Sequence, residues 1–330
     1  MDPPGPVNPV LEQVARLLRS LARASGADAD RLLAQFTSGS GIGALAAGLQ
    51  ECLAAGAEPA GALVWDPRRT GTQQGSPASA GGLAAAVLLL MRLVQQRDAW
   101  RRAGRTERDA AAAACVALLG VALEGRVRDF QLRDFGPLLG VLLAVAACDV
   151  QATSVAIEAG LARRLAGVLT VEPWEEDGGP YRAAAAALAA KLVAGSKALA
   201  AKAPPATAAA QEPAPLTPGL ESQPSTQRPP LRYRDAAVLA RGLRGALDRF
   251  SEPEGERVLS EEGAADALRA LRSLADAHAS IAQDMVDSDF AIQCDRIADK
   301  VQQAETRALA DGLLEKMAEL ATAYRADLVD

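Results

Sequence analysis

The chain has 330 residues, of which 49% are apolar but only 3% aromatic, with a formal net charge of −6. Between Arg232 and Asp330 there are 13 Lys and Arg against 20 Asp and Glu, so the negative charge sits in the C-terminal third. That excludes a basic face over much of a domain, which a dominant nucleic-acid footprint needs. Ala dominates the apolar residues and Ile is scarce. Ala is the strongest helix former, whereas strands favour β-branched and aromatic side chains, so the expected fold is all-α.

The opening MDPPGPVNP has neither the basic and apolar regions of a secretory signal nor the Arg/Ser-rich pattern of a transit peptide, so a cytoplasmic location is expected. A first helix is expected from about Asn8 to Ala24, with Asn8 as N-cap and Pro9 at the first helical position. Val10, Val14, Leu17, Leu18 and Leu21 form its apolar stripe. A short helix near Asp28 to Phe36 follows, then Gly-rich TSGSGIG and another helix to about Ala55, completing an N-terminal unit over residues 1–56. Gly, Pro, Ser and Thr over residues 57–80 predict a flexible loop.

Residues 81–202 read as helix, short break, helix: Gly82 to Arg102, Thr106 to Leu123, Phe135 to Ala147, Val150 to Leu169 and Tyr181 to Lys202. Short breaks predict antiparallel neighbours. Thr106 with Asp109 offers a capping-box-like start, and EPWEEDGGP, from Glu172 to Pro180, is a polar interruption. The longest apolar runs, Gly81 to Met91 and Gly136 to Cys148, fall short of the ~20 residues that cross a bilayer, so no membrane span is expected. Residues 203–231 form a Pro-rich tract that reads as a linker. Beyond it, residues 232–330 form an acidic helical segment, with helices at about Arg234 to Arg249 and Gly263 to Ala277. A long helical pattern follows from near Ile281 to Leu328, with stripes Ile297, Val301, Ala304, Ala308 and Leu313, Met317, Leu320, Tyr324. Unbroken from Asp289 it would be ~60 Å long, with Gly312 as the place to bend.

The stretch VAIEAGLARRLAGVLT, from Val155 to Thr170, with YRAAAAALAAKLVAGSKALAAK after it, resembles an armadillo repeat. In that resemblance Gly160 supplies a sharp turn, Leu161, Leu165, Val168 and Leu169 the second helix, and Ala183 to Leu199 a long third helix. RVLSEEGAADALRALRSLA, from Arg257 to Ala275, resembles the same turn with Gly263 in place of Gly160, and Gly136 with Pro137 is a fainter echo. The resemblance implies an irregular armadillo-like α-solenoid, and a helical bundle with a long C-terminal helix remains the alternative. Such solenoids bind extended segments or helices of other proteins along a concave face.

Candidate chemistry is sparse. The one histidine, His278, has Ser280 near it in sequence, but such neighbours on a helix do not face each other, so a solvent-side helical residue is expected. Gly39, Gly41 and Ala44 make a G-x-G-x-x-A that would need a preceding strand to hold a dinucleotide. The carboxylates Glu175, Glu176, Asp177 and Asp284, Asp287, Asp289 lack the calcium-loop pattern and read as solvated charge. Cys52, Cys115, Cys148 and Cys294 are widely spaced in apolar runs, as buried reduced thiols are. No catalytic residue, metal ligand or cofactor is assigned, and the chain is not expected to be an enzyme. The basic run Arg97, Arg101, Arg102, Arg105 and Arg108, interleaved with Trp100, is the candidate partner-binding site, since Arg and Trp dominate hot spots and could grip an acidic segment. The alternative is a helix end whose cations favour the dipole. The expected function is a scaffold or adaptor for other proteins, or else a structural subunit of a large cytoskeletal or organellar assembly.

Overall fold

The computed structural model describes residue 20, residues 26–38, 40–55, 63–64, 79–95, residue 100, and residues 102–128, 134–148, 150–171, 179–202, 231–253, 258–288 and 290–327. Apart from Ser20, the helix expected over Asn8 to Ala24 lies outside them, as do residues 172–178 of the polar interruption and residues 203–230 of the linker.

Thirteen helices are seen among the described residues, so the fold is all-α as the Ala content dictates. They begin with α1 (Ala27–Ser38), α2 (Gly41–Ala55), α3 (Ser79–Gln95), α4 (Arg105–Leu123) and α5 (Phe135–Cys148). Next come α6 (Val150–Glu158), α7 (Leu161–Thr170), α8 (Gly179–Lys202), α9 (Tyr233–Ser251) and α10 (Glu261–Ala277). The last three are α11 (Ala279–Asp287), α12 (Phe290–Lys300) and α13 (Ala304–Asp327). Two residues of the expected loop, Leu63–Val64, form β1 and pair in parallel with β2, Val127–Arg128. The α4 start differs from the expected cap. Gly104 is the N-cap, and the Glu107 carboxylate accepts from its backbone N–H at 3.0 Å.

The helices stack as five pairs: α2 with α3, α4 with α5, α7 with α8, α9 with α10, and α12 with α13. The first members pack in order, α2 on α4, α4 on α7, α7 on α9 and α9 on α12. The second members do the same, α3 on α5, α5 on α8, α8 on α10 and α10 on α13. The result is a run of stacked helix pairs sharing a continuous Leu- and Ala-rich core. The nine-residue helices α6 and α11 bridge one pair to the next. The pairs begin at residues 41, 105, 161, 233 and 290, so their spacing is irregular. Packing does not stop at the expected boundary between residues 81–202 and 232–330. Arg163 Nε donates to Asp235 Oδ1 at 2.6 Å across α7 and α9, and the Leu231 N–H donates to Ser196 Oγ at 2.7 Å.

Two kinds of glycine hold this stack. Gly160 is a turn residue, as expected: its φ of 85° is left-handed, it separates α6 from α7, and a Cβ there would meet nothing within 4 Å. Gly263 overturns the parallel drawn with it. It lies inside α10, one turn past the Ser260 N-cap whose Oγ accepts from its N–H at 3.2 Å. A Cβ on Gly263 would stand 2.9 Å from Ala183 Cα, so the absence of a side chain lets α10 lie against α8. Gly242 plays the same part between α9 and α7, where a Cβ would stand 2.8 Å from Ala166 Cα.

The pattern over residues 281–328 is three helices, not one. Gly312 does not bend the chain: it lies within α13, and the breaks fall after Asp287 and at Val301 to Gln303. The second break is held by side chains from other turns. Arg307 donates to the Ala298 and Val301 carbonyls at 3.0 and 3.1 Å, and Glu261 Oε1 accepts from the Gln303 N–H at 2.6 Å. These contacts take up the helix-end groups that an unbroken helix would have paired internally. Of the first expected stripe, Ile297 and Val301 are buried while Ala304 and Ala308 are exposed; Leu313 and Met317 of the second are buried. The C-terminal helix α13 remains long, at 24 residues.

Among the described residues one unbroken helix, α8, is long and apolar enough to cross a bilayer by length and composition, a case the two longest apolar runs had not suggested. In the fold it packs on α5, α6, α7 and α10. Its Arg182 is fully buried, with Nη2 donating to the Val171 carbonyl at 2.7 Å and the guanidinium 5.1 Å from the Tyr181 ring centroid.

Candidate functional site

The basic run lies at the junction of α3 and α4, with Arg97 and Arg101 outside the described residues. Trp100 is 1% exposed, so the indole is core and not the surface anchor that its place among arginines suggested. Its Nε1–H has no acceptor among the described residues. Arg102 and Arg105 are exposed. Arg105 Nε stands 3.7 Å from Asp109 Oδ2, one turn on, a solvated pair of little energetic weight. Arg108 is half-buried and folds back, donating from Nη1 to the Ala103 carbonyl at 2.9 Å. The segment leading into α4 thus carries a buried tryptophan, while Arg102 before the helix and Arg105 at its start are exposed.

The other sequence candidates are dispersed. Gly41 and Ala44 lie inside α2 and follow a helix, so the strand–turn–helix context of a dinucleotide site is absent there. Asp284 and Asp287 are exposed on α11, with Asp287 accepting from Gln283 Nε2 at 2.8 Å, while Glu175, Glu176, Asp177 and Asp289 lie outside the described residues. Among the described residues no group of three or more His, Cys, Asp or Glu is placed to hold a metal ion. Cys115 and Cys294 are fully buried free thiols, and burial pushes each up to about 12. The side chains of Cys52 and Cys148 lie outside the description.

His278 is not simply a solvent-side helical residue. It sits in extended backbone, φ −139°, at the joint where α10 ends and α11 begins. Its ring meets Tyr233 edge-on, with centroids 5.9 Å apart, and is half-buried. It also lines a cavity of about 310 Å³ between α8 and α10. Val193, Ala200, Leu231, Leu274 and Ala277 supply apolar wall, and Ser196, Lys197, Ser273, Asp276 and His278 supply polar groups. Ser196 is engaged by the Leu231 N–H, which fixes the wall, and Asp276 is ion-paired with Lys316. Sequence reasoning missed this site because Lys197 and His278 are 81 residues apart, and only the packing of α8 on α10 brings them together. The one signal available was the chain's single histidine.

No protein-family model and no curated protein matches the chain. Among solved structures it is similar to an engineered protein from the Northeast Structural Genomics Consortium, at 14% identity and a TM-score of 0.48, over 94% of this chain and 97% of that one.

Proposed function

We propose that the chain is a non-catalytic, cytoplasmic scaffold or adaptor of armadillo-like type, which holds other proteins against its stacked helices. The observation that supports this is the stacking itself: five helix pairs laid in order, each packing on the next, so that every added pair extends exposed surface. Arg102 and Arg105, exposed and near the buried Trp100 in sequence, are the preferred contacts for an acidic segment of a partner, with Arg101 beside them.

The test is charge reversal. The Arg101→Glu, Arg102→Glu, Arg105→Glu variant and the unaltered chain are used as baits in lysate of the native cell, and the captured proteins are identified by mass spectrometry. The expected result is loss of a specific set of proteins from the variant. Its helical signal and melting temperature stay within about 2 °C of the original, because exposed charges contribute within ±0.5 kcal/mol. An unchanged set removes the basic run from the reading, and capture of nothing specific by the unaltered chain refutes the scaffold itself.

A further inference from the structure

We propose that the cavity between α8 and α10 is a second binding site, which takes the C-terminal residue of a peptide: an apolar side chain carrying a free carboxylate. The volume of about 310 Å³ is at the small end of ligand pockets and suits one side chain and its terminal group. The walls are Val193, Ala200, Leu231, Leu274 and Ala277, so most of what enters must be apolar.

Apart from Asp276, the polar groups around that wall can each donate a hydrogen bond. Lys197 Nζ, which is exposed, Ser273 Oγ and the imidazole N–H of His278 all belong to cavity-lining residues, and none has a hydrogen-bond or ion-pair partner among the described residues. Asp276, the one acidic lining residue, is neutralised by Lys316 and does not set a bare negative charge against an incoming carboxylate. An apolar pocket bordered by a hydroxyl, an imidazole and an exposed ammonium with no ion-pair partner among the described residues favours an apolar group that bears an anion, because hydrogen bonds to a carboxylate are the stronger, charge-assisted kind. The wall is preorganised, since Ser196, 5% exposed, fastens Leu231 through its backbone N–H, and His278 is braced by Tyr233. Tyr233, 48% exposed beside His278, gives the rest of a peptide an aromatic edge to lie on. The peptide as ligand rests on the interaction-protein reading above. The site is remote in sequence from the basic run, and its test uses the purified chain, so either can fail alone.

Because His278 is the chain's one histidine, its imidazole C2–H gives a single resonance that reports on the cavity. The purified full chain is titrated with the peptide Ac-Gly-Ser-Leu as free acid, with its C-terminal amide, and with Ac-Gly-Ser-Gly as free acid, at constant pH. The expected result is a saturable shift with the Leu acid at or below about 1 mM. Binding should be about tenfold weaker for the amide, from the loss of a charge-assisted hydrogen bond, and weaker again for the Gly acid. Lys197→Ala should weaken the Leu acid about tenfold, and Ala200→Phe, exposed on α8 and therefore compatible with folding, should abolish its binding by filling the cavity. The proposal is overturned if the Leu acid gives no saturable shift, if amide or Gly acid binds as well, or if both variants bind unchanged.

Discussion

Gly242 and Gly245 lie three residues apart on α9, and substituting each with Ala should move stability in opposite directions. In a helix interior, Ala in place of Gly gains about 0.8–1 kcal/mol of propensity. At Gly245 a Cβ meets nothing within 4 Å, so that gain is realised in full. At Gly242 the new Cβ would stand 2.8 Å from Ala166 Cα and 3.0 Å from Ala166 Cβ, backbone and a side chain with no freedom to move aside. Overpacking of this kind costs about 1–3 kcal/mol, so after the propensity gain Gly242→Ala is expected to lose up to about 2 kcal/mol net. Urea unfolding followed by circular dichroism at 222 nm reads the difference. With an m-value of roughly 3 kcal/mol/M, the midpoint should fall by up to about 0.7 M for Gly242→Ala and rise by about 0.3 M for Gly245→Ala. A run of stacked helix pairs can unfold in stages, so the two variants are compared within the same transition. If both variants shift the same way, α9 does not approach α7 as described, and the stacking order built on that contact is wrong.

Truncating Trp100 to Ala should cost about 3–5 kcal/mol in the same assay, because the indole is core; a loss below about 1 kcal/mol would return it to the surface. The thiols of Cys115 and Cys294 should resist an alkylating reagent at pH 8 in a Cys52→Ala, Cys148→Ala background and react after unfolding. Fast reaction of the native chain would contradict their burial. The same thiols give a pH signature. Their folded values, raised to about 12 from 9.0, favour the protonated form in the native state. The unfolded chain therefore loses protons first, and the stabilisation, complete below pH 9, falls by up to about 1.4 kcal/mol per thiol per pH unit between 9 and 12. Cys115→Ala should flatten that decline, and an unchanged slope would refute the assignment.

Local physics made much of this fold legible. Ala-rich segments with three-to-four apolar spacing became helices close to the expected bounds, as in α5 and α8, because helix propensity and a repeating stripe act within a few residues. The turn at Gly160 was readable for the same reason, since a left-handed residue between two helices is a local requirement. What depends on residues distant in sequence was not readable. Gly263 has the same sequence context as Gly160, yet it is a contact glycine because α8 lies against it. Trp100 stands among arginines but faces inward, since helix packing decides which side of that turn is covered. The break after Val301 depends on Glu261, some forty residues earlier, accepting a backbone N–H that a continuous helix would keep. Lys197, Ser273 and His278 share a cavity on the same terms: each position was visible in the sequence, but their convergence is a property of helices α8 and α10 in contact, and no local pattern encodes it.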